Sequence, residues 1–239
     1  MDGMIFAAGL GTRLKPLTDN RPKALVEVAG KPLLEYTIKK LIDAGIARIV
    51  VNVHHYAGQI CEFLEKKNYF GHDIVISDES GQLLDTGGGL QKARPLFHRD
   101  TSVLIHNVDI YSEVDLKALI AQHTARQQHA TLVTAPGGSG RGLRFNDRGI
   151  LKGWENTVTG EQKIVDEEFY DSRLYRFCGV QIVSHSFLQH IEKQGTYSII
   201  DEYLRQAKFF PVSMFSYPGP FLDLGTPQAI EEANRLFCN

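Results

Sequence analysis

The chain has 239 residues, a formal net charge of −2, 43% hydrophobic and 23% charged side chains, and three cysteines. That is enough chain to bury a substantial core, with the composition of a globular protein and a charge balance that gives no general attraction to nucleic acid. Cys61, Cys178 and Cys238 lack C-x-x-C spacing, no stretch approaches the ~18 apolar residues of a membrane span, and Asp2 stands where a signal peptide carries basic residues, so a cytoplasmic protein without disulfides, zinc ribbon or membrane partner is expected.

In chain order, Ile5 to Ala8 is an apolar run of strand length that opens into Gly9-Leu10-Gly11-Thr12-Arg13. Leu34, Ile38, Leu41 and Ile42 keep helical spacing after Pro32, and Gly45 ends that helix. Ile46 to Val53 reads as a buried strand, Ile60, Phe63 and Leu64 as a helix, and Ile74 to Ile76 as a strand. A helix capped by Thr86 runs to Phe97, a strand follows at Val103 to His106, a helix carries Leu116, Leu119 and Ile120, and Ala130 to Ala135 is a strand again. The βαβα rhythm predicts a mainly parallel sheet covered on both faces, with functional loops at the C-terminal strand edge.

The rhythm breaks at Gly137-Gly138-Ser139-Gly140-Arg141-Gly142, the most flexible stretch by composition. Beyond it, Leu143 to Asn146 and Ile150 to Glu155 form a hairpin around Asp147-Arg148-Gly149, and Thr157 to Arg173 reads as a charged loop. Then come a strand at Tyr175 to Val183, a helix at Ser198 to Ala207, a strand at Phe210 to Tyr217, and a last helix opened by Thr226-Pro227. With no internal repeat and no clear linker, one domain over 1–239 is the simplest organisation.

The chemistry begins in the first loop. Backbone amides freed by glycine approach phosphate oxygens closely, and Arg13 with Lys23, the latter fixed by Pro22, supplies two cations beside them. The dinucleotide fingerprint needs a third glycine where Leu14 stands, and no G-x-x-x-x-G-K-[ST] occurs. Asp109 closes the run that begins at Val103, and Asp223 follows a short apolar pair before a helix; two carboxylates meeting at one sheet edge suit Mg²⁺, which keeps waters and phosphate oxygens as further ligands. Asp85-Thr86-Gly87 is a fragment of the aspartic protease motif without the required second copy, and it reads instead as a glycine turn on which a flat base can lie. His54 and His55 point to opposite faces of a strand, which makes them a poor chelating pair.

Together these pieces resemble the sugar-1-phosphate nucleotidyltransferase family. Its opening motif G-x-G-T-R-L-x-P-L-T, continued by P-K-x-L-V-x-V-x-G-K-P-L, is matched from Gly9 to Leu33, and LLDTGGGL, the strand-end aspartate and D-L-G-T-P follow in order. The short length and the D-T-G-G-G, F-x-G and D-x-G-T segments resemble the N-acetylmuramate-1-phosphate uridylyltransferases of cell-wall recycling; mannose-1-phosphate guanylyltransferases, glucose-1-phosphate thymidylyltransferases and a catalytically silent nucleotide-sugar-binding regulatory subunit are the rivals.

The resemblance implies a Rossmann-like three-layer αβα fold with a mostly parallel, mixed sheet and a small β-rich sugar-binding region. The nucleotide-binding half would cover about 1–135 and the sugar-binding half about 136–239. It implies transfer of a nucleotidyl group from a nucleoside triphosphate, best UTP, to a sugar 1-phosphate. By motif match, Ala8, Gly9, Gly11 and Thr12 cradle the nucleotide, Arg13 and Lys23 handle the triphosphate and the attacking phosphate, and Gly87 and Gly88 contact the base. Asn107 lies near the ribose or sugar, Gly142, Glu155 and Gly179 sit at the sugar, and Asp109 and Asp223 hold Mg²⁺. Two positions depart from the pattern. Val108 replaces a glycine beside the metal site, and Asn156 replaces a lysine, which leaves the sugar phosphate one cation short, with Arg141, Lys163 or a partner subunit to supply it. Exposed apolar faces in the second half would support a homodimer.

Overall fold

A computed structural model describes residues 1–137 and 140–237; Gly138 and Ser139 of the glycine-rich stretch, and Cys238, lie outside the described residues. The first half is β1 (Asp2–Phe6), a small hairpin of β2 (Glu27–Val28) and β3 (Lys31–Pro32), α1 (Leu33–Asp43), β4 (Arg48–Val53), α2 (Ala57–Lys66), β5 (Asp73–Asp78), α3 (Asp85–Ala93), β6 (Val103–Asn107), β7 (Ile110–Ser112), α4 (Leu116–Ala125) and β8 (Ala130–Pro136). The second half is β9 (Arg141–Phe145), β10 (Leu151–Asn156), β11 (Gln162–Ile164), β12 (Arg173–Val183), α5 (His185–Gln189), α6 (Ile199–Ala207), β13 (Val212–Ser216), β14 (Phe221–Asp223) and α7 (Pro227–Phe237).

The main sheet runs β11-β10-β9-β12-β6-β1-β4-β5, with β8 on β12 and β13 on β8. β6, β1, β4 and β5 are parallel, as the sequence rhythm predicts. The long β12 is antiparallel to β6, β8 and β9, so the whole is a mixed sheet. Alternation of side chains along β1 sends Ile5 to one face and Met4 with Phe6 to the other. The first face packs on Leu34, Ile38 and Leu41 of α1, Leu119 of α4 and Ile230 of α7. The second packs on Leu90 of α3, Phe187 of α5 and Tyr203 of α6. Burying side chains of this size contributes about 2 kcal/mol each, which fixes the strand register and with it the loops at the strand ends.

Several expectations are corrected. Thr86 does not cap α3; the helix starts at Asp85 and ends at Ala93 before a 3-10 turn, and the Thr86 hydroxyl accepts the Ile199 N–H at 2.9 Å, so it ties the starts of α3 and α6 together. The charged loop from Thr157 to Arg173 contains β11 and a 3-10 turn at Glu167–Phe169. The hairpin of β9 and β10 forms as predicted, with Glu155 opposite Gly142. A separate pair, β7 with β14, has no counterpart in the sequence expectations, and it lies beside the functional loops.

Candidate active site

The loop after β1 is held from below by a polar bridge that the motifs do not announce. Asn52, opposite Phe6 in the sheet, accepts the Ala7 and Ala8 N–H groups at 2.7 and 3.2 Å and donates to Glu79 Oε1 at 2.7 Å. Glu79 Oε2 accepts the Leu84 N–H at 3.2 Å, just ahead of α3. Asn52 and Glu79 are 2% and 0% exposed, and burial pushes the Glu79 carboxyl above the usual carboxylate range. The bridge therefore joins the loops after β1 and β5 through the end of β4. One signal in the sequence points to it: an asparagine inside an otherwise apolar strand.

Beyond this bridge the loop turns upward. Gly11 has φ +66°, and a Cβ there would lie 3.1 Å from Lys23 Cβ, so glycine permits both the turn and the approach of Lys23. The Thr18 hydroxyl donates to Gly11 O at 2.8 Å and closes the turn. Among the described residues the N–H groups of Gly9, Leu10 and Gly11 donate to no protein acceptor. A run of free amides of this kind is an anion-binding concavity.

Two cation–carboxylate pairs stand over the loop. Lys23 Nζ contacts Asp109 Oδ2 in a largely buried pair, and Arg13 Nη2 lies 3.9 Å from Asp223 Oδ2 in an exposed one. The pairing of β7 with β14 sets Asp223 opposite Ile110, and Leu224 N–H donates to Asp109 O at 2.8 Å, which brings the two aspartates to adjacent positions. Gly225 completes the cradle: a Cβ there would lie 2.6 Å from Arg13 Nη2 and 2.7 Å from Asp223 Oδ1. Among the described residues no three His, Cys, Asp or Glu side chains cluster as a metal site. Two carboxylates fit a hard cation that takes its remaining oxygens from water and phosphate, and Mg²⁺ is such an ion.

A cleft of about 360 Å³ is lined by Ala8, Gly9, Lys23, Asn107 and Asp109, and also by Asp85, Thr86 and Thr196, while Arg13 and Asp223 stand outside its lining. Gly87 and Gly88 lie outside the lining of this cleft. The Gly87 N–H is taken by Tyr197 O at 2.9 Å, and a Cβ on Gly88 would lie 2.1 Å from Gly195 O, so these glycines serve close packing of α3 against the 195–197 loop. Thr12 opens a 3-10 turn with Arg13 at the rim. Val108 is 4% exposed and packs in the core beneath the cleft.

At the opposite end, Gly179 (φ +66°) sits against Asn107 and Ile110, where a Cβ would lie 2.8 Å from Ile110 Cγ1. Glu155 is bound by Gln162 and by Arg144 (2.6 Å), which together hold its carboxyl below the usual range. Asn156 is buried and accepts the Val158 and Thr159 N–H groups, so it builds a turn. Lys163 is paired with Asp201 at 2.7 Å. His54 binds Glu79 O through Nδ1, and His55 lies against Tyr56, both structural contacts.

Comparison with known proteins gives the family and the fold. Residues 2–143 match the model of the nucleotidyl transferase family. N-acetylmuramate alpha-1-phosphate uridylyltransferase of Caulobacter vibrioides is 46% identical over 108 residues, which span 44% of this chain and 44% of that protein. The enzyme of that name from Neisseria meningitidis serogroup B is 29% identical over 240 residues, 99% of this chain and 98% of that one. The crystal structure of HddC from Yersinia pseudotuberculosis complexed with GMP-PN superposes with a TM-score of 0.78 at 24% identity, covering 99% of both chains, and so shares the fold. With the family model spanning more than half the sequence, from β1 into β9, the chain belongs to the nucleotidyl transferase family.

Proposed function

We propose that the protein transfers a nucleotidyl group from a nucleoside triphosphate to a sugar 1-phosphate, with UTP and N-acetylmuramate 1-phosphate as the preferred pair. The observation that carries this reading is the row of unpaired amides at Gly9–Gly11 beside Lys23, Asp109, Arg13 and Asp223. A triphosphate laid on those amides puts its terminal phosphates towards Arg13 and its α-phosphate near Lys23. An oxygen of the sugar phosphate attacks the α-phosphorus while the bond from that phosphorus to its bridging oxygen breaks and pyrophosphate leaves. Positioning and charge stabilisation carry such a step. Lys23 steers the attacking phosphate, Arg13 receives the leaving pyrophosphate, and Asn107 with Gly179 shapes the floor where ribose and sugar meet. Asp109 and Asp223 would hold Mg²⁺, which when bound neutralises phosphate charge. The base lies at the start of α3, near Asp85 and Thr86, with Gly87 and Gly88 setting the position of that helix. Gly142 and Glu155 border the sugar.

The main sheet runs through both halves, which favours one catalytic domain over 1–239. No described helix is long and apolar enough to cross a membrane. The free thiols of Cys61 and Cys178 suit a reducing compartment, which supports a cytoplasmic location. Exposed Val158, Ile164 and Tyr170 offer a surface for a second copy. The test is a matrix of the four nucleoside triphosphates against N-acetylmuramate, mannose and glucose 1-phosphates, read by pyrophosphate release with Mg²⁺. UTP with N-acetylmuramate 1-phosphate is expected to turn over fastest. GTP with mannose 1-phosphate, or dTTP with glucose 1-phosphate, in first place would reassign the substrates. Nucleotide binding without turnover across the matrix would make the protein a silent regulatory relative.

A further inference from the structure

Any sugar 1-phosphate that enters this cleft brings a dianion towards Asp109 and Asp223, where Lys23, already paired with Asp109, is the cation assigned to it. A second cation on the sugar side would share that charge with Lys23 and hold the sugar phosphate from the other direction. The cations of the second half are mostly committed. Arg144 holds Glu155, Arg148 and Lys152 hold Glu168, Lys163 holds Asp201, and Arg173 holds Asp147.

Arg176 differs from these. It is exposed, and among the described residues no carboxylate pairs with it; its guanidinium lies over the Phe221 ring, 4.2 Å from the centroid. Phe221 and Asp223 are two apart on β14 and share one face of that strand, so the platform under the guanidinium and the carboxylate point the same way. Along β12, Arg176 pairs with Ala135 of β8 and falls between the stretch paired with β9, which carries Gly142, and the stretch paired with β6, which leads to Asn107 and Asp109. It therefore stands at the junction of the sugar end and the carboxylate end. A guanidinium stacked on an aromatic ring keeps its outer N–H fork free and loses little freedom on binding, an arrangement suited to bidentate capture of phosphate oxygens.

We infer that Arg176, braced on Phe221, binds the phosphate of the incoming sugar 1-phosphate and sets the affinity for that substrate. This rests on the proposed nucleotidyltransferase function and supplies the cation that Asn156 does not. Arg141 and Lys163, considered from sequence, serve less well: Lys163 is spent on Asp201, and Arg141 has no ring or carboxylate to fix it among the described residues.

The test compares wild type, Arg176→Ala, Arg176→Lys and Phe221→Leu by steady-state kinetics with each substrate varied in turn. In parallel, calorimetric titration with N-acetylmuramate 1-phosphate and glucose 1-phosphate is run in the presence of a non-hydrolysable UTP analogue. Arg176→Ala is expected to raise KM and Kd for the sugar phosphate at least tenfold and to leave KM for UTP within twofold. Arg176→Lys should recover part of the loss, Phe221→Leu should show a smaller shift of the same kind, and thermal stability should be unchanged in the two Arg176 variants. Equal sugar-phosphate affinity in wild type and Arg176→Ala, or equal rises in both KM values, would overturn the role of Arg176 and leave the proposed function standing. A wild type that binds neither sugar phosphate would overturn both.

Discussion

At the residue scale, Lys23 and Asp109 form a largely buried pair in which each side chain is the other's compensation. Removing one partner leaves an uncompensated charge, which costs a few kcal/mol in such a setting. Asp109→Ala is expected to abolish turnover with Mg²⁺ in a pyrophosphate-release assay; near-normal activity would remove Asp109 from the metal site. Lys23→Ala should lower kcat about 10²–10³-fold, the range seen when a single oriented transition-state donor is lost. A wild-type kcat with only a raised KM for UTP would move Lys23 from the attacking phosphate to ground-state nucleotide binding. These residues are legible in sequence because glycine spacing and charge advertise phosphate. Asn52 gives only the signal of a lone asparagine among apolar strand residues and Glu79 gives none, since a bridge between two strand ends exists only once β1, β4 and β5 lie side by side.

At the scale of elements, α3 shows how packing can use a motif that sequence assigns to a ligand. The Gly88 position meets the backbone oxygen of Gly195, which cannot swing aside as a flexible side-chain tip would. Gly88→Ala is therefore expected to destabilise the protein by about 3 kcal/mol, a fall in Tm of roughly 6–12 °C for a chain of this size. Gly58 is the control: it lies in α2, and a Cβ added there would meet nothing within 4 Å, so Gly58→Ala should stabilise by about 0.5–1 kcal/mol. Thermal melts of both variants check the pair, and a Gly88→Ala protein as stable as wild type would refute the packing role. The longer elements are readable because periodicity runs over many residues, as in α1, β4 and β8, or because a cap marks the start, as Ser198 does for α6 by accepting the Ile200 N–H. α5, with 5 residues, and the short strands β2, β3, β7 and β14 carry too few residues for a period to register. Insertion of antiparallel β12 beside β6 joins positions far apart in the chain, which local patterning does not encode.

At the scale of the whole molecule, the fold buries neutral histidines, and that makes its stability depend on acid. His123 is 3% exposed and hydrogen-bonds Thr131 Oγ1 through Nδ1 at 2.9 Å; burial, with His129 nearby adding to it, brings its pKa down to about 4. His106 is 1% exposed and donates from Nδ1 to Asn107 O at 2.8 Å; burial and the Lys40 charge bring it to about 4 as well, against the opposing pull of that hydrogen bond and of Asp109. In the unfolded chain both titrate near the ordinary histidine value of about 6.5. Between about 6.5 and 4 the unfolded state therefore binds protons that the folded state refuses, and stability falls as pH falls. The contribution is fully present above about pH 6.5 and is lost progressively down to about pH 4, with each histidine worth up to roughly 3 kcal/mol. Against a total of about 5–15 kcal/mol for a typical domain, two such groups account for a large share of the stability lost on acidification. Urea midpoints measured at about pH 7, 5.5 and 4.5 should fall steeply for the wild type. His123 lies away from the cleft residues, on α4, so His123→Gln tests the cause without touching the site. That variant should start less stable at neutral pH and lose less on acidification, and a pH slope identical to wild type would rule out His123 as one of the groups responsible.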